Sequence, residues 1–97
     1  MSAYITLINW TDQGIRTVKD TLNRAKAVEQ ALQSAGGQKI GIWWTLGQYD
    51  AVFVYEAPDD ETATRLLLAA GMQGNVKTAT MRAFSEEEMA RIIGGLP

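Results

Sequence analysis

Apolar and polar residues alternate along several short stretches of the chain and recur every three or four residues along the others. Over residues 39–57 two β-rich runs flank a break at Gly47-Gln48. That pattern predicts a β-hairpin, with glycine supplying the positive φ of a tight turn. In the first run Ile40, Ile42, Trp44 and Leu46 share one face, and Lys39, Gly41, Trp43 and Thr45 the other. In the second, Val52 and Val54 oppose Ala51, Phe53 and Tyr55, and Pro58 stops the strand because it has no N–H to donate. Residues 3–10 predict a first strand, Ile5 and Leu7 on one face, Tyr4, Thr6, Ile8 and Trp10 on the other. Neither face is purely polar, so this strand belongs in the middle of a sheet. Residues 75–84 predict a last strand, with Ala79, Met81 and Ala83 opposing Thr78, Thr80 and Arg82.

Helical spacing fills the gaps. Thr11-Asp12 is a cap, and Ile15, Val18, Leu22, Ala25, Val28 and Leu32 then recur at helix period. This predicts one long helix of about twenty residues, closed by Gly36-Gly37. Asp20 and Arg24 are placed for an i,i+4 ion pair on its outer face. Asp59-Asp60-Glu61 opens a second helix carrying Ala63, Leu66, Leu67 and Ala70, and Gly71 and Gly74 close it. Ser85 and Glu88 form a capping box for a short last helix reaching about Ile93.

The order is β-α-β-β-α-β plus a C-terminal helix. Two interleaved right-handed crossovers of this kind give an α+β, ferredoxin-like plait. The prediction is one domain over residues 1–97: a four-stranded antiparallel sheet of order 4-1-3-2, two helices on one face and a short C-terminal helix. Following the chain up and down brings three loops to one end of the sheet. They contain Trp10-Thr11-Asp12, Gly47-Gln48-Tyr49-Asp50 and Gly74-Asn75. The helices cover only one sheet face, yet both faces carry large apolar side chains. A bare face of that kind would exceed the ~300–600 Å² apolar patch usual for a monomer. A second copy of the chain, or its C-terminal helix, is therefore expected to cover it, making a homodimer or higher homo-oligomer.

Composition narrows the chemistry. With 9 Lys and Arg against 11 Asp and Glu, the net charge of −2 argues against a nucleic-acid partner. There is no cysteine and no histidine. Thiolate nucleophiles, Cys-held zinc or iron–sulfur clusters, His-ligated haem and His-based triads are excluded. No metal site and no cofactor is expected. No apolar run reaches the ~18 residues of a membrane span. The N-terminal Met-Ser-Ala-Tyr carries neither region of a signal peptide, so a cytoplasmic protein with no membrane partner is expected.

The candidate binding residues are those gathered at the loop end: Asn9, Trp10, Tyr49, Asp50, Asn75 and Lys77. Asp50 reads either as a partly buried base or ligand anchor, or as a turn residue accepting backbone amides. Trp10, Trp43 and Trp44 read either as pocket walls or as core and interface. Trp43 and Trp44 must face opposite ways. Asn9 either meets a ligand or caps the turn after its strand. Arg82, at the other end of the sheet, either holds an anion or pairs with a carboxylate such as Glu56. Gly71 and Gly74 follow a helix rather than preceding one, and so form no phosphate cradle.

With Asn9-Trp10-Thr11, Gly47-Gln48-Tyr49-Asp50, Ala57-Pro58-Asp59-Asp60 and Gly74-Asn75-Val76 in register, the chain resembles the GYD-domain family over residues 4–96. The family's Gly, Tyr and Asp stand here as Gly47, Tyr49 and Asp50. The resemblance implies a ferredoxin-like plait related to the dimeric α/β-barrel proteins, and it implies no activity. That wider group includes cofactor-free monooxygenases, haem-dependent enzymes and small-molecule-binding proteins. Here the haem-dependent kind would lack an axial histidine. Three functions are weighed. The first is a homo-oligomer binding a small molecule near the Gly47-Tyr49-Asp50 end. The second is a cofactor-independent oxygenase or isomerase acting on an aromatic substrate. The third is a structural or interaction module without a pocket. Whether the chain is an enzyme stays open at this point.

Overall fold

In the computed structural model, which describes residues 1–97, strand β1 (Ser2–Trp10) occupies the middle of the sheet. It pairs antiparallel with β3 (Ala51–Ala57) on one side and β4 (Val76–Ala83) on the other. Strand β2 (Gln38–Trp44) completes the sheet beside β3. The order β2-β3-β1-β4 is the expected 4-1-3-2 read from the other edge, so the protein is a ferredoxin-like α+β plait. Helices α2 (Thr21–Ser34) and α3 (Asp60–Met72) pack on one face. A short α1 (Asp12–Arg16) precedes α2, and α4 (Glu86–Gly94) ends the chain.

Tyr4, Phe53, Tyr55 and Ala57 of the sheet meet Leu32 of α2 and Ala63 of α3, all nearly or fully buried. Ring centroids lie 5.5 Å apart for Tyr4–Tyr55 and 4.6 Å apart for Phe53–Tyr55. A buried tyrosine hydroxyl must find a partner. The Tyr55 hydroxyl bonds Thr6 Oγ1 at 3.1 Å, and the Tyr4 hydroxyl donates to Asp60 Oδ1 at 2.5 Å. Thr6 Oγ1 also bonds Thr80 Oγ1 at 2.8 Å, tying β4 to the same network. Asp59 caps α3 by accepting from the Thr62 amide, and the Ser85–Glu88 capping box forms in both directions.

Several local expectations are corrected. The first helix is not one rod. It breaks at Thr17, whose φ of −111° and ψ of 29° leave the helical region, and a 3₁₀ turn (Val18–Asp20) bridges to α2. Thr17 Oγ1 bonds back to the Gln13 carbonyl, a side-chain competitor that bends helices. Arg24 forms no ion pair with Asp20. Its guanidinium reaches back to the Gly14 carbonyl, which the break frees, and to the Thr17 carbonyl, which also accepts from the Asp20 amide. Third, Ile40 forms a bulge between the pairs Lys39–Tyr55 and Gly41–Val54, which breaks the alternation. Lys39 thereby moves to the helix face, where it pairs with Glu29 of α2 at 3.2 Å. Last, Arg82 pairs with Glu88 at 3.4 Å rather than with Glu56, which accepts from Gln38. The hairpin loop is also wider than a two-residue turn, spanning residues 45–50 with Gly47 at φ 138°.

The other sheet face shows Ile5 and Leu7 of β1, Val52 and Val54 of β3, Trp43 of β2 and Met81 of β4. The four aliphatic side chains are half-buried, while Trp43 is 56% and Met81 48% exposed. Helix α4 contributes no buried residue, and its Met89, Ile92 and Ile93 stand exposed. The molecule is accordingly long, 52 × 31 × 19 Å. Its radius of gyration of 14.7 Å exceeds the roughly 12–13 Å of a compact chain this size.

Candidate functional site

The three loops do meet at one end of the sheet, and hydrogen bonds hold them together. Asp50 Oδ2 accepts from the Trp10 amide at 2.9 Å and from Asn9 Nδ2 at 3.4 Å. Asn9 Nδ2 also donates to the Gln48 carbonyl at 2.9 Å. The Asp50 amide donates to the Ile8 carbonyl, and its carbonyl accepts from the Thr45 amide. Thr45 Oγ1 spans the loop to the Tyr49 carbonyl at 2.5 Å. These contacts pin the hairpin loop to the end of β1. Asp50 makes the bonds of a turn residue, and Asn9 those of a loop tether.

On the other side of Trp10 the contact is tighter. The Thr11 amide donates to the Asn75 carbonyl at 3.1 Å, and Thr11 Oγ1 to the Gly74 carbonyl at 2.6 Å. The same Oγ1 accepts from the Gly14 amide as the cap of α1. Gln13 Nε2 donates to the Gln73 carbonyl and to Asn75 Oδ1, both at 3.0 Å. Gly14 lies so close that a Cβ there would stand 1.9 Å from the Asn75 carbonyl oxygen. Lys77 is exposed and faces Asn9 across the β1–β4 register. All six candidates thus share this end, but they do not form one pocket.

A cavity of about 740 Å³ opens beside them, between the sheet and the α2–α3 pair. Ile8, Trp10, Trp44 and Val76 form its sheet wall, Val28 and Leu66 its helix wall. Trp10 and Asn75 line it; Asn9, Tyr49, Asp50 and Lys77 do not. The volume falls within the ~300–1,000 Å³ range of small-molecule sites. Sequence reasoning missed this space. Its signal was the run of small residues facing inward, Ala25 of α2, Ala51 of β3 and Ala70 of α3, where a filled interface needs bulk.

Sequence reasoning also missed the role of Arg24. Its Nη2 donates to Thr21 Oγ1 at 3.1 Å, and that oxygen accepts from Trp10 Nε1 at the same distance. Nη1 donates to the Thr17 carbonyl and hydroxyl, both at 3.0 Å. Every partner is neutral. At the opposite end of the sheet the electrostatics are of another kind. Burial, reinforced by Asp60, pushes Tyr4 up to about 12, and burial also raises Tyr55. Thr62 holds Asp59 below the usual carboxylate range, and the Ser85 amide does the same for Glu88.

No helix is long and apolar enough to cross a membrane. Among solved structures, the chain superposes on FFRP-DM1 with a TM-score of 0.61 at 15% identity, covering 87% of this chain and 100% of the other. It matches TTHA0845 of Thermus thermophilus with a TM-score of 0.54 at 22% identity, covering 88% and 95%. Both likenesses concern the fold. A curated relative is 37% identical over 84 residues, covering 86% of this chain and 88% of its own length. It is the glutamine synthetase and cystathionine beta-lyase binding protein of Thermus thermophilus. The model of the GYD domain matches residues 4–93, so the chain belongs to the GYD family.

Proposed function

We propose that the chain is a small cytoplasmic, homo-oligomeric binding protein that works by docking onto other proteins. One observation carries this reading: the fold leaves two apolar surfaces without a partner. Trp43 and Met81 stand exposed on the open sheet face, and Met89, Ile92 and Ile93 on α4. Apolar area of this kind, rimmed by polar residues, marks protein–protein contact. A second copy covers the sheet face, because the same self-complementary patch serves both partners of a twofold dimer. The relative's name, a binding protein for two metabolic enzymes, supports a docking role here as well.

Light scattering at micromolar concentration tests the oligomer. A dimer or larger species is expected for the wild type, and Met81→Glu with Trp43→Glu should shift it to monomer. A wild type that stays monomeric overturns the homo-oligomer. Purified glutamine synthetase and cystathionine beta-lyase, titrated by calorimetry, test the docking partner. Absence of heat with both removes those two enzymes from the reading.

A second reading has its own support. A small molecule held near the Gly47-Tyr49-Asp50 end would have the adjacent cavity to enter, with Trp10 and Asn75 in its wall. Asn9, Tyr49, Asp50 and Lys77 would then act around its rim.

A further inference from the structure

We infer that the cavity between the sheet and the α2–α3 pair takes an amphipathic monocarboxylate, with its carboxylate at Arg24 and its apolar body against Trp10 and Trp44. This rests on the small-molecule reading above and adds a place and a charge to it.

Charge is the first argument. The protein as a whole is acidic, at −2. The cavity lining is not. It contains Arg24, Lys26 and Lys39 against one carboxylate, Glu29. Glu29 is already paired with Lys39. Arg24 is half-buried and forms no ion pair, its donors resting on two carbonyls and two hydroxyls. The neutral partners leave the charge of the guanidinium uncompensated for an incoming anion, and Nε–H, the one donor not already engaged, is left to bond a carboxylate oxygen. The first turn of α2, Thr21 to Arg24, lines the same space. The Asp20 side chain makes no capping bond there. Its carboxylate at the cap position offsets the positive end of that helix, so the positive potential there rests on the Arg24 guanidinium itself.

Shape is the second argument. Sixteen of the 26 lining residues are apolar, among them Trp10, Trp44, Val28 and Leu66. Of the two lining cations without a carboxylate partner, Lys26 is exposed and Arg24 half-buried, so Arg24 is the one placed to fix the orientation of a ligand with one charged end against the apolar wall. Thr21 connects the two parts, since its hydroxyl oxygen accepts from both Trp10 Nε1 and Arg24 Nη2. Trp10 and Trp44 line the cavity and Trp43 does not, so tryptophan emission can report occupancy.

An aromatic acid and a fatty acid share this chemistry, and the test separates them. The purified chain is titrated with 3-phenylpropanoate and with decanoate, each beside its uncharged amide, following tryptophan emission and thermal shift. At least one acid should bind at least tenfold more tightly than its amide. The acid that binds names the source. Arg24→Gln should erase that preference while leaving amide binding in place, which also shows that the cavity survives the change. Ala70→Phe, which fills the space, should remove both acid and amide binding, while Trp43→Phe should change neither. Amides that bind as tightly as acids, or a preference that survives Arg24→Gln, overturn the assignment of a carboxylate to Arg24. The small-molecule reading would outlive that result. Should neither acids nor amides bind the wild type, both fall. If Ala70→Phe fails to fold, the comparison of Arg24→Gln with wild type still decides.

Discussion

The two ends of the helix–sheet layer are built from the same strands and helices, yet one is packed and the other is open. Toward the start of β1, Tyr4, Phe53 and Tyr55 stack between the sheet and Leu32 and Ala63, and nothing of these side chains remains exposed beyond a few per cent. Toward the end of β1, Ile8, Trp10 and Trp44 face α2 and α3 across a cavity. The difference is one of volume. Rings fill the first end, while Ala25, Ala51 and Ala70 leave room at the second. Protein interiors normally close such space. The packed end holds the fold together, which frees the open end from that task.

The largest effect should come from the two leucines of α2. Leu32 is fully buried in the packed end, and Leu22 lines the cavity while mostly exposed. Leu32→Ala should cost about 2–5 kcal/mol in urea unfolding, since it removes buried methyls and leaves a void. Leu22→Ala should stay within about 0.5 kcal/mol. Equal losses at both positions would mean that the open end closes in solution.

Next comes Gly14, where the open end is fastened. A methyl group there meets the Asn75 carbonyl oxygen at 1.9 Å, and that oxygen is backbone with little room to yield. Gly14→Ala should cost about 1–3 kcal/mol, as overpacking does, despite alanine's better helix propensity. A stabilised variant would show that the loops at this end are not locked. Smaller again is Asp50→Ala. It strips the Trp10 amide and the Asn9 side chain of an acceptor, worth about 1–2 kcal/mol. Faster amide exchange at Trp10 should accompany the loss, with the packed end unchanged.

Much of this architecture is legible in the sequence. Strand alternation sorts Tyr4, Thr6 and Ile8 onto one face of β1, though not which face the helices cover, and the Ser85–Glu88 box places α4. The meeting of three loops follows from chain direction alone. What escapes is of a different nature. The Ile40 bulge is invisible because isoleucine suits either face, so nothing marks the slip that turns Lys39 inward. The break at Thr17 lies within a helical period that continues on both sides, so the spacing does not mark it; the Thr17 hydroxyl bonded back to Gln13 and the backward reach of Arg24 show only in the structure. The cavity has only an indirect signal, the small side chains Ala25, Ala51 and Ala70, which suit any helix or strand until the fold sets them facing one another. The motif residues Tyr49 and Asp50 drew attention to the loop, while the charged cavity wall belongs to Arg24, an ordinary surface position by spacing.

The last comparison turns on pH and belongs to the packed end. Tyr4 titrates at about 12 in the folded chain, against about 10 for the exposed side chain, chiefly because burial disfavours the phenolate. Below pH 10 the group is protonated in both states, and its contribution to stability is intact. Between pH 10 and 12 the unfolded chain has lost a proton that the folded chain keeps, so stability falls as pH rises. Tyr55, raised by the same burial, acts in the same direction. Tyr4→Phe forfeits the bond to Asp60, about 1 kcal/mol at neutral pH. It should in return flatten the alkaline decline of Tm. Asp59 and Glu88 act at the other extreme. Their lowered values give stability that is present at neutral pH and is lost as acid protonates them. Tyrosinate absorbance followed alongside unfolding from pH 9 to 12 checks the alkaline limb. If Tyr4→Phe declines as steeply as the wild type there, the alkaline sensitivity arises outside the stacked rings, and the contrast between the two ends loses its electrostatic part.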